Sequence, residues 1–247
     1  HLGASTKEAS LNCSLGVSKN VEAVLSGELV GAVNMPPITG DLSELKPYVT
    51  LGEKLGAIYY QAEKERVHKI EIIYSGDLAD KPTKLITLSV VKGFLSVVSE
   101  SEINYVNAKL KLSEMGVELV ESKSSQLEKY ANLITVKFYR KSNSISVSGT
   151  VFAKDAIRIV DFFGYTLDFE PTSHVLALQN KDVPGIIGKV GTLLGANDIN
   201  IAAMQWSRST KGNKAVSFVS VDGEVSDDVL KKLAGLDGIM KASRLNF

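Results

Sequence analysis

The sequence of 247 residues predicts an α+β fold, in which strand-rich and helix-rich segments are grouped rather than strictly alternating. Runs of β-branched residues between residues 133 and 169 predict several neighbouring strands with short connections. From residue 172 to the C-terminus, periodicity and turn residues predict the order strand, helix, strand, strand, helix, strand. This order is the ferredoxin-like arrangement.

The terminal unit contains two predicted helices. The first is expected to begin at Pro184, since a missing N–H costs least in the first turn of a helix. Ser226 is expected to cap the second, because its hydroxyl group can accept a hydrogen bond from the first turn. The four strands are predicted at residues 174–179, 199–206, 215–221 and 239–245.

The middle of the chain is predicted to form another unit of mixed strands and helices. Glycine is expected to end a helix at Gly116 and to separate two strands at Gly164. No functional motif occurs between residues 61 and 139. Helices are predicted at residues 84–98 and 104–114, and strands at residues 67–74, 133–139, 144–151, 157–160 and 165–169.

The N-terminal segment is predicted to be a helix followed by a connection. Ser5 and Glu8 have the spacing of a capping box, and an apolar stripe follows them. Cys13 lies in this helix and is expected to be a small buried side chain. Two prolines after Met35 predict a connection that extends to about Pro47. These patterns divide the chain into residues 1–47, 48–171 and 172–247.

Composition and missing motifs exclude several classes of function. Lys plus Arg equals Asp plus Glu at 28 each, so no net charge attracts nucleic acid or an anionic membrane. No apolar run reaches the roughly 20 residues of a membrane-spanning helix, so a cytoplasmic protein is expected. Three separated histidines and one cysteine predict no metal site. Because G-x-G-x-x-G and G-x-S-x-G are also missing, the chain alone is a poor candidate for an enzyme.

The segment N-K-D-V-P-G-I-I at 180–187, followed by N-D-I-N-I at 197–201, is the part of the sequence best suited to ligand binding. A strand-to-helix turn presents backbone N–H groups at a helix N-terminus, which suit a ligand carboxylate. Asp182 can accept hydrogen bonds from an ammonium group, and the Asn200 amide can both donate and accept. Together they suit a zwitterionic amino acid. The alternative is that Asp182 only caps the helix and Asn200 only forms a turn.

These two motifs resemble the ACT domain, a small-molecule sensing module found at the ends of enzymes of amino-acid metabolism. The resemblance implies an effector site formed by Asn180, Asp182, Pro184, Gly185 and Asn200. It also implies that the sheets of two ACT domains pair edge to edge. The chain is therefore expected to form a homo-oligomer through this domain.

Two further segments resemble the end of the catalytic region of the D-3-phosphoglycerate dehydrogenase family. They are H-L-G-A-S-T-K-E-A at 1–9 and G-A-V-N-M-P at 31–36. The resemblance implies that His1 is the general acid–base of hydride transfer in the full-length protein, with NAD as the cofactor. The glutamate that orients this histidine, the substrate-binding arginine and the nucleotide domain would precede residue 1. No cofactor is therefore expected on the chain itself.

The segment S-G-T-V-F at 148–152, with Arg158 and Gly164, is similar to the intervening domain of the longer members of that family. This resemblance implies an anionic, phosphorylated ligand. Lys154 and Arg158 would supply positive charge, and arginine suits bidentate phosphate binding. The alternative is that both charges belong to the solvated face of a hairpin.

The leading interpretation is the regulatory C-terminal part of an NAD-dependent D-3-phosphoglycerate dehydrogenase, an enzyme of serine synthesis. L-serine would bind where two ACT domains meet and favour a less active arrangement of a tetramer, although glycine or another small amino acid fits the same pattern. An iron–sulfur L-serine dehydratase combines similar domains, but the segment H-L-G-A-S-T and the single Cys13 disfavour it. A non-enzymatic ACT module that only assembles subunits is the third interpretation.

Overall fold

The computed structural model describes residues 5–25, 42–125, 129–153, 156–208 and 213–247. The helices are α1 (Lys7–Leu25), α2 (Leu42–Ala62), α3 (Lys84–Ser96), α4 (Ala108–Glu114), α5 (Ile186–Gly195) and α6 (Asp227–Ala234), with a 3₁₀ turn at Asp77–Asp80. The strands are β1 (Val67–Gly76), β2 (Glu118–Ser124), β3 (Asn132–Arg140), β4 (Ser144–Phe152), β5 (Ala156–Phe162), β6 (Tyr165–Phe169), β7 (His174–Lys181), β8 (Ile201–Arg208), β9 (Lys214–Val221) and β10 (Ile239–Asn246).

The first sheet has six strands in the order β2-β1-β3-β4-β5-β6. Its strands β1 and β2 are parallel, and the other neighbours are antiparallel. Helices α2 and α3 pack on one face of this sheet, where Phe138 stacks on Tyr59 at 4.6 Å and on Phe94 at 5.9 Å between ring centroids. All three rings are fully buried, so this aromatic cluster lies at the centre of the core.

Helices α2 and α3 approach each other closely at two glycines. A Cβ atom on Gly56 would lie 2.0 Å from the carbonyl oxygen of Val90. A Cβ atom on Gly93 would lie 2.0 Å from the carbonyl oxygen of Glu53. Backbone atoms cannot give way without moving a whole helix, so glycine at both positions is what lets the two helices pack at this distance.

The second sheet has four strands in the order β10-β7-β9-β8, which places β8 at an edge. Helices α5 and α6 cover one of its faces. The apolar side chains between them form a buried cluster that includes Leu176, Leu178, Val190, Leu194, Val219 and Leu233. The predicted ferredoxin-like order of elements is therefore confirmed for the terminal unit.

The opposite face of the four-stranded sheet packs on the first unit. Phe218 of β9 lies 4.9 Å from Phe162 and 5.0 Å from Phe169 between ring centroids. Side chains of both sheets belong to one continuous buried cluster that also includes α2. The two units therefore share a hydrophobic core, in which a shift of one sheet would alter the packing of the other.

Polar contacts fix the last strand of the second sheet to the end of α2. The Gln61 side-chain amide donates to the Asn246 carbonyl oxygen at 3.0 Å, and its oxygen accepts from the Asn246 N–H. Close by, the Lys241 ammonium lies 2.8 Å from the Glu63 carboxylate. These contacts join residues far apart in sequence, so they hold the terminal unit in one orientation on α2.

The predicted connection up to Pro47 is wrong for residues 42–47, which form the start of α2. Pro47 lies in the second turn of this helix, where it removes only one hydrogen bond. The burial of Leu45 and Val49 on either side of it outweighs that loss. The helix thus crosses the predicted boundary between residues 47 and 48. Strand β2 was not predicted, because an exposed edge strand has a weak apolar pattern.

The start of α5 also differs from the prediction. The helix begins at Ile186 rather than at Pro184, and Gly185 is its N-cap residue with φ of 90°. A left-handed residue cannot belong to a right-handed helix, so Pro184 belongs to the preceding turn. The predicted roles of Gly116 and Gly164 are confirmed, with φ of 69° and 87°. Ser226 caps α6 through a bond from the Val229 N–H, as predicted.

Helix α1 is exposed along most of its length. The hydroxyl oxygen of Thr6, one residue after the predicted cap Ser5, accepts from the Ala9 N–H at 3.1 Å. Cys13 is exposed, so its predicted burial is wrong. Among the helices that the structure describes, none combines the length and apolar character needed to cross a bilayer.

A charged group on the six-stranded sheet is held by hydroxyl donors. The Tyr139 hydroxyl donates to Glu71 Oε2 at 2.6 Å, and the Ser122 hydroxyl donates to Glu71 Oε1 at 3.1 Å. The bond from Tyr139 is the main reason why the pKa of Glu71 lies below its ordinary value. Glu71 therefore links the neighbouring strands β1, β2 and β3 in its ionised form.

Replacing this hydroxyl group should produce a pH-dependent loss of stability. Tyr139→Phe is expected to lower the free energy of unfolding by about 1 kcal/mol at pH 7. A carboxyl group with a lowered folded-state pKa adds stability above its unfolded-state pKa, and this is lost as pH falls through the folded-state value. Urea unfolding at pH 7 and pH 3 measures the difference. An equal cost at both pH values would contradict this role of Glu71.

Candidate functional site

A cleft lies between the β7–α5 turn and the end of β8. Its volume is about 510 Å³, and it is lined by Asn180, Asp182, Val183, Pro184, Gly185, Ile186, Ile187, Trp206 and Arg208. Four of the five residues proposed from the sequence for effector binding are in this list. The fifth, Asn200, does not line the cleft.

The N-terminus of α5 forms one wall of the cleft. The first helical hydrogen bond runs from the Lys189 N–H to the Gly185 carbonyl oxygen, so the N–H groups of residues 186–188 have no partner within the helix. No side chain caps Gly185. The wall therefore offers backbone donors and the positive end of a helix dipole, which together suit a carboxylate.

Asp182 faces Arg208 across the cleft. The Asp182 carboxylate lies 3.3 Å from Arg208 Nε, and its side chain is 31% exposed. Its backbone N–H donates to the Asn213 carbonyl oxygen at 2.8 Å, which fixes the turn. Since α5 has no side-chain cap, the alternative in which Asp182 serves only as a helix cap is not what the structure shows.

Asn180 is buried in the wall of the cleft, with only 1% of the residue exposed. Its amide nitrogen donates to the Lys181 carbonyl oxygen at 2.7 Å. Among the residues that the structure describes, none donates a hydrogen bond to its amide oxygen. A buried acceptor without a partner costs about 1–3 kcal/mol, so this oxygen favours a ligand that donates a hydrogen bond.

Asn200 lies at the opposite end of β8 from Arg208. Its amide nitrogen donates to Asp222 Oδ2 at 2.7 Å. It precedes Arg208 by eight positions, which corresponds to about 26 Å along a strand. Within one chain, Asn200 therefore cannot contact a small ligand that lies beside Asp182.

Among the lining residues that lie outside the 180–187 motif, Trp206 and Arg208 were not predicted for the site. Trp206 and Arg208 follow Met204 with a spacing of two, and alternate residues of a strand share a face. Met204 and Trp206 pack on the side of the sheet that α5 covers. This alternation was visible in the sequence and indicates which face of the strand Arg208 shares, but its position beside the N-terminus of α5 depends on the order of the strands in the sheet.

The proposed anion site is only partly described. Lys154 lies outside the described residues, as does His1. Arg158 contacts two carboxylates, with Nε 3.4 Å from Asp168 and Nη1 3.1 Å from Glu170. A phosphorylated ligand would have to compete with both carboxylates for the guanidinium group. The anion site therefore stays a prediction.

The family models match two adjacent parts of the chain. The model of the D-3-phosphoglycerate dehydrogenase intervening domain matches residues 44–163, and that of the ACT domain matches residues 174–238. The chain therefore combines a D-3-phosphoglycerate dehydrogenase intervening domain with an ACT domain. The resemblances inferred from the sequence are confirmed, and so is the α+β fold with its intervening and ACT domains.

Curated relatives support the same assignment along the whole chain. D-3-phosphoglycerate dehydrogenase of Bacillus subtilis is 37% identical over 100% of this chain and 47% of the relative. The proteins of that name from Synechocystis sp. and Methanocaldococcus jannaschii are 33% and 36% identical, over 98% and 100% of this chain and 44% and 47% of the relatives. The chain thus spans about half the length of these relatives and corresponds to their C-terminal, regulatory portion.

Proposed function

We propose that this chain is the sensor of a cytoplasmic, NAD-dependent D-3-phosphoglycerate dehydrogenase and that its ACT domain binds L-serine. One observation carries the proposal: the cleft joins the unsatisfied Asn180 oxygen, the Asp182 carboxylate and the uncapped N-terminus of α5. The first two accept hydrogen bonds from an ammonium group, and the third binds a carboxylate. A small α-amino acid supplies both groups.

A second copy of the chain completes this site. Strand β8 is an edge strand, and an edge strand can pair with its own copy about a twofold axis. Antiparallel pairing centred on Met204 places Asn200 of the second copy opposite Arg208 of the first. Each site then combines Asn180 and Asp182 of one copy with Asn200 of the other. This explains why Asn200 has ligand chemistry and yet lies far from the cleft of its own chain.

Ligand binding regulates through the shared core. A ligand held between two copies favours one arrangement of the paired β8 strands, and β8 hydrogen-bonds to β9. Phe218 of β9 packs on Phe162 and Phe169 of the intervening domain. The preference is passed on to the remainder of a tetramer as a coupling free energy of about 1–3 kcal/mol. L-serine would thereby inhibit the enzyme that begins the synthesis of L-serine.

NAD and 3-phosphoglycerate are proposed as ligands of the longer protein only. The β7–α5 turn is a strand-to-helix junction of the kind that can bind phosphate, but it contains the Asp182 carboxylate, which repels a pyrophosphate. The residues described do not fit a dinucleotide, so no step of hydride transfer is derived from them. In the longer protein, His1 would move the proton. A phosphorylated ligand at Lys154 and Arg158 is proposed for the intervening domain.

Titration of the 247-residue chain with L-serine tests the sensor. Trp206 lines the cleft and is the single tryptophan in the sequence, so its fluorescence reports on this site, and calorimetry gives the heat. We expect saturable binding of L-serine that Asn200→Ala weakens by at least about tenfold. Glycine and D-serine serve as comparison ligands. Neither heat nor a fluorescence change at millimolar L-serine would refute the proposal, and the ACT domain would then serve assembly alone.

A further inference from the structure

Two of the nine residues that line the effector cleft are charged, and they face each other. The closest contact between Asp182 and Arg208 is 3.3 Å, longer than the roughly 2.7–2.9 Å of a strong charge-assisted hydrogen bond. The Arg208 side chain is 76% exposed and lies at the end of an edge strand. A loose pair of this kind contributes little to stability, so it can be opened at small cost.

We propose that Arg208 determines the ligand specificity of the site by binding the α-carboxylate of an amino acid. The ammonium group of the same ligand then replaces Arg208 as the partner of Asp182. The inference rests on the proposed function, and it assigns a role to a residue that lies outside the N-K-D-V-P-G-I-I motif. One ion pair becomes two, and the cleft remains electrically neutral when the ligand enters. The α5 N-terminus, on the adjoining wall, holds the same carboxylate from its other side.

This exchange makes the site selective for zwitterions. A ligand with an ammonium group alone separates Arg208 from Asp182 and leaves the guanidinium group without an anion. A ligand with a carboxylate alone leaves Asp182 without a cation. In both cases the number of ion pairs in the cleft does not rise, whereas a zwitterion raises it from one to two. Specificity thus comes from rejecting ligands with one charge as well as from binding those with two.

The test compares L-serine with L-serinamide, in which a neutral amide replaces the carboxylate. Both are titrated at pH 6.5 into the unaltered chain and into Arg208→Gln, with Trp206 fluorescence as the readout. The unaltered chain should prefer L-serine by at least about tenfold, and Arg208→Gln should lose most of this ratio, with the part due to the α5 N-terminus remaining. Lys214→Gln is the matched control, since it removes an exposed positive charge that does not line the cleft. Arg208→Lys should restore part of the preference.

The outcomes separate this inference from the proposed function. If L-serine binds and the ratio is the same in Arg208→Gln as in the unaltered chain, the inference is wrong and the sensor stands. An equal fall of the ratio in Lys214→Gln would also refute it, because the effect would then be one of overall charge. If L-serine does not bind the unaltered chain at all, the proposed function fails and the role of Arg208 fails with it.

Discussion

Mixing the Asp182→Ala and Asn200→Ala variants should restore L-serine binding that neither variant has alone. Each variant is expected to lose at least about tenfold in affinity, because each lacks one polar contact to the ligand. In a mixed dimer paired through β8, one site combines both defects. The other site has Asp182 from one copy and Asn200 from the other, and it is intact.

The size of the restored signal follows from the symmetry of the pair. With random association at equal concentrations, about half of the dimers are mixed and each has one intact site out of two. About a quarter of all sites should therefore bind with the affinity of the unaltered chain. Trp206 fluorescence resolves these sites at L-serine concentrations too low to fill the defective ones.

A second mixture provides the control for this experiment. Asn180 and Asp182 line the same cleft of one chain, so a mixture of Asn180→Ala and Asp182→Ala produces no intact site in any dimer. Restored binding in both mixtures would mean that the copies merely stabilise each other. Restored binding in neither, with dimers present by sedimentation, would show that Asn200 does not complete the site of its partner.

The half of the site that could be predicted from the sequence is the half that is local in the chain. Asn180, Asp182 and Gly185 lie within one turn, so a motif of a few residues specifies their proximity. Arg208 joins them through sheet order, which depends on the pairing of β9 with both β7 and β8. No short segment of the sequence specifies this pairing, so Arg208 was not predicted to line the site.

The position of Asn200 shows a second limit of sequence reasoning. Its residue type and its place in the N-D-I-N-I motif indicated ligand chemistry, but the strand carries it to the far end of the sheet. Only the edge position of β8 connects the two observations, because an edge strand can bring a second copy alongside. Likewise, the burial of Asn180 and its unsatisfied oxygen depend on packing around the turn, which composition does not reveal.

The start of α2 was missed for a related reason. Proline disfavours helix in the residue before it, and this local preference predicted a connection up to Pro47. Packing decided otherwise, because α2 buries Leu51, Leu55 and Ile58 against α3 and the sheet. The stabilisation from that apolar surface exceeds the loss of a hydrogen bond near one helix end. Local preference is therefore a weak guide where a helix forms the centre of the core.

Gly93→Ala should lower the free energy of unfolding by about 3 kcal/mol, although alanine is the better helix former by about 1 kcal/mol. The new Cβ atom would lie 2.0 Å from the Glu53 carbonyl oxygen, and 2.7 Å from its carbonyl carbon. Relief requires α2 and α3 to separate along their contact. That movement also disturbs the Glu53 carboxylate, which accepts from Lys92 at 2.8 Å and from the Tyr105 hydroxyl.

Gly191→Ala is the matched control, because it makes the same chemical change inside helix α5. A Cβ atom there meets no atom within 4 Å, so the variant should be as stable as the unaltered chain or more stable by up to about 1 kcal/mol. Urea unfolding of both variants separates the helix preference from the clash. If Gly93→Ala were as stable as Gly191→Ala, the two helices would not be packed as closely as their glycines indicate. A large difference between their free energies of unfolding would show that backbone contact, rather than helix propensity, determines why position 93 requires glycine.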